Sequence, residues 1–335
     1  MKTTCCEDLK RVIIMNNPNF TTTLPVISSS EEYEKIKLKT ELFELAAREI
    51  IAYHHIPDEP LTLLDGSNIV FSCGKTRIIK IYPPLHQSHF TCEILLMKYL
   101  HNKLSVRIPS VEYAGEISGW PYIVMSRLEG TLLEDLWERL DHSNKTVIIR
   151  ELGSLIHEVH SLPTEGLESI DCHWQQFIFQ QLNQCKAQHR DTHLPDELVQ
   201  QIPMYLESMK KYLPEINKPV ILTGEYTPMN LLVSQKSGVW HITGLIDFGD
   251  SMLGMPQYDL LGPGVFLIQG DKILLREFLT SYGYSSEDMT STLTHQLTAL
   301  MLLHRYANLN VQIRIKDWNK KVNKISELEN LVWGF

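Results

Sequence analysis

The chain has 335 residues, 43% apolar and 21% charged, which fits one two-lobed domain or two ordinary ones and excludes wholesale disorder. Lys+Arg and Asp+Glu number 12 each through residue 105, so the entire net charge of −9 lies beyond it. That acidic body argues against nucleic acid, whose phosphates need a basic face, and no apolar run approaches the ~20 residues of a membrane span.

Residues 1–38 read as an N-terminal extension, loop-rich around Asn16-Asn17-Pro18-Asn19 and Thr21-Thr22-Thr23. Val12–Met15 is too short for the core of a secretion signal. From Ser30 a helical pattern runs to about His55, opened by serines with Glu31 and Glu32 in the first turn and stopped by Pro57 and Pro60. Two strands follow, 68–73 and 77–82, joined at Gly74-Lys75. A helix is expected over 89–101, with Phe90, Ile94, Met97 and Leu100 on one face, then a strand over 122–125. Beyond Gly130 the chain reads as helical over 131–140, 146–161, 172–189 and 196–213. One hairpin, 231–233 with 240–246, precedes helices over 271–281 and 286–309. Strands first and helices later describe an α+β protein of two lobes with a cleft between them. The N-terminal lobe, 39–128, carries an antiparallel sheet and a helix, and the C-terminal lobe, 129–335, is mainly helical.

Three places could carry chemistry. Lys80 stands mid-strand among Ile78, Ile79, Ile81 and Tyr82, either as an edge charge reaching solvent or as a buried cation with an anionic partner. Glu93 stands on the apolar face of the next helix, where a carboxylate needs a partner. The two either pair with each other or are independent surface charges. The second place is Thr223-Gly224-Glu225-Tyr226-Thr227-Pro228-Met229-Asn230, which sets a carboxylate and an amide five residues apart in a loop feeding a strand. The third is Leu245-Ile246-Asp247-Phe248-Gly249-Asp250, at the end of the other hairpin strand. Asp247 there is a turn former or a ligand. The hairpin brings Asn230 and Asp247 to the same end of two strands, and two such oxygen donors suit Mg²⁺. Cysteines 5, 6, 73, 92, 172 and 185 make no CxxC pair. They read as the reduced thiols of a cytoplasmic protein, without a zinc site or disulfide framework.

Lys80, Glu93, Glu225 with Asn230, and Asp247-Phe248-Gly249 form, in this order, a set that resembles protein-kinase-like phosphotransfer enzymes. The version here is similar to the aminoglycoside phosphotransferase family and its choline and homoserine kinase relatives. Tyr258-Asp259-Leu260 adds to the likeness, as do Met125–Gly130, Leu152-Gly153 and His160–Pro163, and the resemblance spans ~60–275.

The resemblance implies a kinase-like fold that transfers the γ-phosphate of ATP or GTP to a hydroxyl of a small-molecule acceptor; the acidic charge beyond residue 105 points to a cationic one, and composition to no nucleic-acid or membrane partner. It implies that Lys80 holds the nucleotide phosphates and Glu93 pins it. Gly66, Ser67 and Asn68 would turn over the nucleotide, Met125 and Arg127 would line the base, and Asn230 and Asp247 would hold Mg²⁺. Asp259 would brace the catalytic loop. Where the family writes His-Gly-Asp, this chain has Thr223-Gly224-Glu225, so Glu225 stands at the catalytic carboxylate position, its charge displaced by up to ~1.5 Å. That departure supports an alternative, a pseudokinase-type nucleotide-binding or interaction module. The histidines 157, 160, 173 and 304 read as packing or surface residues. Trp174, Phe177, Ile178 and Leu182 read as core or as a wall of the substrate cleft.

Overall fold

The computed structural model describes residues 20–224 and 226–335. The described chain divides into two compact units. The first comprises the described residues up to Lys103 with Arg107–Glu129 and Leu245–Asp250, and the second Leu104–Val106, Gly130–Gly244 and Ser251–Phe335.

The first unit is built on one antiparallel sheet. Its strands are β1 (Leu61–Leu64), β2 (Ile69–Cys73), β3 (Arg77–Ile81), β4 (Val111–Ile117) and β5 (Trp120–Ser126), in the order β1-β2-β3-β5-β4. Helices α1 (Ser30–Lys37) and α2 (Thr40–Tyr53) supply Tyr33, Phe43, Ala46, Ala47, Ile50 and Ile51 to a core shared with Ile69, Phe71, Ile79, Ile81 and Val124. Strand residues two apart point the same way, so this core takes one face of β2 and β3. Helix α3 (Gln87–Leu100) packs on β4 and β5. The helical pattern expected from Ser30 to His55 is therefore two helices, broken at Leu38–Lys39, where Leu38 is exposed. The break lets each segment turn its own apolar residues inward.

The second unit is mainly helical. Its long helices are α4 (His142–His160), α5 (Trp174–Asp191), α6 (Asp196–Met209), α7 (Lys272–Tyr282) and α8 (Ser291–Leu302). Strands β6 (Thr131–Leu132), β8 (Leu231–Lys236) and β9 (Val239–Leu245) form a small sheet in the order β6-β8-β9. Strands β7 (Val220–Leu222) and β10 (Met252–Gly254) pair antiparallel. Trp174 and Phe177 of α5 are buried edge-on against Tyr258, so they belong to the core.

Two expected helices are corrected. Residues 131–140 begin as β6, with Leu132 paired to Leu232, and continue as 3-10 turns. There the Trp137 indole donates to the Leu267 carbonyl at 3.1 Å. The leucine spacing looks helical, but these tertiary bonds override it. The helix expected over 286–309 spans Ser291–Leu302. Before it, the Asp288 carboxylate accepts from the N–H and hydroxyl of Ser285 and holds a turn. After it, His304 stacks on Tyr258 at 4.7 Å, and the Tyr258 hydroxyl accepts the Arg305 N–H.

Candidate active site

In the first unit, register decides which side chains meet. Lys80 lies opposite Val70 on β2 and Ile123 on β5, and Ile78 lies opposite Met125. Val70, Ile78, Lys80, Ile123 and Met125 therefore share the face turned away from the α1–α2 core. Lys80 is buried there, and its ammonium donates to Glu93 Oε2 of α3 at 2.7 Å. It also donates to Asp247 Oδ1 at 3.0 Å. The side chains of Lys80 and Glu93 are 7% and 2% exposed and that of Asp247 34%, so the aspartate is the member of the group that solvent reaches. Burial pulls the lysine pKa down, but the carboxylates of Asp247 and Glu93 outweigh it and hold the ammonium above the usual lysine range. Tyr82 completes the group, donating its hydroxyl to Glu93 Oε2 at 2.5 Å.

Asp247 takes a left-handed backbone, φ +65°, which aspartate tolerates better than most residues. Gly249 follows closely: a Cβ there would lie 3.6 Å from both Asp247 Oδ1 and Glu93 Oε2 and 3.3 Å from the His89 Cβ.

The turn between β1 and β2 holds Gly66, Ser67 and Asn68. The Ser67 carbonyl accepts from the Tyr33 hydroxyl at 2.9 Å, and the Gly66 carbonyl accepts from Lys37 at 2.5 Å. Asn68 is buried, with its Oδ1 3.0 Å from His86 Nδ1. Helix α1 thus anchors this turn through its carbonyls. Met125 lies on the Lys80 face. The Arg127 guanidinium donates to the Gly74 carbonyl at 3.2 Å and its N–H to the Thr76 carbonyl at 2.7 Å, at the turn joining β2 to β3.

In the second unit, Asp259 is buried and ties down the start of the Thr223–Asn230 loop. Its carboxylate accepts the N–H groups of Thr223 and Gly224, both at 2.9 Å. His160 Nε2 lies 3.2 Å from the same carboxylate, and His160 Nδ1 lies 2.9 Å from the Tyr282 hydroxyl. The imidazole thus bridges the Asp259 carboxylate and the Tyr282 hydroxyl through its two ring nitrogens. Gly224 holds φ +73°, and Asn230 is buried directly before β8. Glu225 lies outside the described residues.

His160 and Tyr82 are the residues that sequence reasoning passes over. His160 ends a helix within a segment that carries the resemblance, and a buried acid downstream is the signal that it has a polar task. Tyr82 stands two residues after Lys80, hence on the same strand face, a spacing that marks it as a neighbour.

Asp247, partly exposed in the first unit, is an oxygen donor of the kind Mg²⁺ takes, an ion that uses one or two protein ligands and completes its shell with phosphate and water. Among the described residues, no group of three or more His, Cys, Asp or Glu side chains that could hold a metal occurs. Lys80 with two carboxylates also leaves an excess of one negative charge, with which a divalent cation is compatible.

Residues 65–291 match the model of the phosphotransferase enzyme family. The GDP complex of wild-type aminoglycoside 2'-phosphotransferase-IIIa is similar at TM-score 0.65 and 19% identity, over 85% of this chain and 97% of that one. ADP-bound aminoglycoside phosphotransferase APH(2'')-Ib gives TM-score 0.54 and 18% identity, over 85% and 96%. The apoenzyme of macrolide 2'-phosphotransferase MphH from Brachybacterium faecium gives 0.53 and 18%, over 77% and 89%. The fold is that of the protein-kinase-like phosphotransferases. Among the described residues, no helix is long and apolar enough to cross a membrane.

Proposed function

The chain belongs to the phosphotransferase enzyme family, and from that premise we propose that it transfers the γ-phosphate of ATP or GTP to a hydroxyl of a small molecule. The observation that carries this reading is the buried Lys80 ammonium held between Glu93 and Asp247. A desolvated lysine kept charged by two acids is costly as a structural device and useful as a phosphate clamp.

In this reading Lys80 orients the phosphates, and the turn at Gly66, Ser67 and Asn68 covers them. Met125 lines the base, whereas the bonds of Arg127 give it a part in holding the β2–β3 turn. Asp247 and Asn230 would hold Mg²⁺, which neutralises negative charge on the phosphates when bound. The acceptor oxygen bonds to the γ-phosphorus and its proton passes to Glu225. The bond from the γ-phosphorus to the bridging oxygen breaks, leaving the nucleoside diphosphate with its electron pair. Asp259, through the Thr223 and Gly224 N–H groups, holds the loop that delivers Glu225. The named neighbours act on aminoglycosides and macrolides, and the charge of −9 lying beyond residue 105 supports a cationic acceptor, aminoglycosides first.

The test is a mass-shift screen with Mg²⁺ and ATP or GTP over aminoglycosides, macrolides, amino alcohols and sugars. Phosphorylation of at least one acceptor is expected, slowed by roughly 10²-fold or more in Glu225→Gln, as for loss of a general base. Thr223 and Glu225, in place of the family's histidine and aspartate, favour a second reading as a nucleotide-binding module without transfer. Tight nucleotide binding with no acceptor modified would decide for it.

A further inference from the structure

We propose that Tyr82 is a positioning residue for the phosphate-binding lysine: its hydroxyl fixes the Glu93 carboxylate and, through it, Lys80. The inference rests on the reading of Lys80 as the phosphate clamp and deepens it.

Strand alternation sets Lys80 and Tyr82 on one face and Ile79 and Ile81 on the other. The Tyr82 N–H donates to the Pro121 carbonyl at 2.8 Å, which carries the strand register one residue past β3 and fixes where the side chain starts. The ring is fully buried and meets Phe90 edge-on at 5.5 Å. Phe90 and Glu93 are three residues apart on α3 and so lie on one stripe of that helix. Tyr82 therefore grips α3 twice, by its ring at Phe90 and by its hydroxyl at Glu93.

The hydroxyl contact is the informative one. At 2.5 Å it lies in the range of a phenol donating to an ionised oxygen, and the same Oε2 accepts Lys80 at 2.7 Å. The Lys80 ammonium also stands 5.3 Å from the centre of the Tyr82 ring. Burial, then the charge of Glu93, hold the phenol far above its usual range, so it remains a donor.

Lysine is a flexible point charge with three donors, and here it has two carboxylates to choose between. Glu93 is the enclosed partner, and Asp247 is the partly exposed one that would hold the metal. If Glu93 were free to rotate, Lys80 would be drawn toward Asp247 and compete there with the cation. The Tyr82 bond removes that freedom. Phenylalanine would fill the same space and leave the bond unmade.

The experiment measures binding of Mg²⁺ with AMP-PNP or GMP-PNP by calorimetry, with the far-ultraviolet spectrum as the check on folding. Tyr82→Phe is expected to weaken binding about tenfold, the scale of a hydrogen bond to a charged group. Glu93→Gln should weaken it at least as much, and Tyr82→Phe should add nothing in the Glu93→Gln background. That lack of additivity is what a merely structural role would not produce. Phe90→Leu, which trims the ring contact and spares the hydroxyl, should stay within about twofold of wild type. Additive losses in the double variant, wild-type affinity in Tyr82→Phe, or a larger loss in Phe90→Leu than in Tyr82→Phe would each overturn the positioning role. Lys80→Met separates the two layers: unchanged affinity there overturns the clamp itself, whereas lost affinity beside an unaffected Tyr82→Phe overturns only the role of the tyrosine.

Discussion

Asp247 combines an unusual backbone with a partly exposed carboxylate beside a buried ammonium, and the two features can be separated by substitution. Asparagine tolerates the left-handed backbone as aspartate does, so Asp247→Asn leaves the turn intact. Lys80 keeps Glu93 at 2.7 Å, so its charge stays paired. The expected outcome is an unfolding temperature close to wild type, with Mg²⁺-dependent nucleotide binding and turnover reduced by roughly 10²-fold or more. A Mg²⁺ titration of nucleotide binding beside a melting curve checks both, and wild-type Mg²⁺ dependence would remove Asp247 from the metal assignment. Lys80 and Glu93 are legible in the sequence because each sets a charge into an apolar pattern, a conflict that asks for a partner. Tyr82 raises no such conflict, since a buried tyrosine is ordinary and only its 2.5 Å bond reveals its task. His160 is hidden for the same reason.

At the scale of elements, α4 and α7 are pressed together at Gly153. A Cβ there would lie 2.5 Å from the Phe278 carbonyl oxygen and 3.0 Å from the Tyr282 nitrogen, and would collide with the Ser281 hydroxyl. The same pairing lets Tyr282 of α7 reach His160 at the end of α4, and so supports Asp259. Gly153→Ala gains helix propensity but forces the helices apart, and backbone atoms cannot step aside as a side chain can. We expect a loss of about 1–3 kcal/mol in urea unfolding, with stability equal to wild type as the contrary result. Long amphipathic helices such as α4 and α6 are legible from their period. The short strands β1, β7 and β10 are not, because three or four residues carry too little pattern, and β7 and β10 pair with each other across about thirty residues of chain. The stretch 131–140 misleads in the opposite direction: Leu132, Leu136 and Leu140 keep helical spacing while the Trp137 indole and the β8 pairing take the chain elsewhere.

For the whole molecule, the response to acid follows from histidines held neutral. Burial holds His189 in the second unit below the usual histidine range, partly offset by its bond to the Leu302 carbonyl. Burial and then the neighbouring charge of His55 do the same to His54, and burial and then His89 to His86, both in the first unit. A depressed folded pKa means that the unfolded chain binds more protons below ~6.5, the ordinary histidine value. Stability from these groups is therefore present above ~6.5 and is lost as pH falls toward their folded values. The carboxylates that hydrogen bonding holds below their usual range, among them Glu49 and Asp288, act with the same sign but only below ~4.5. Burial raises the Glu93 carboxyl, which acts with the opposite sign, one group against three. The unfolding temperature should accordingly fall between pH 7 and pH 5.5, before ordinary carboxylates titrate. His189→Gln, which keeps a side-chain donor near Leu302 and removes the titrating ring, should flatten that slope even where it lowers stability overall. A melting temperature constant from pH 7 to 5.5, or a slope in His189→Gln as steep as in wild type, would show that the acid response is not set by these buried rings.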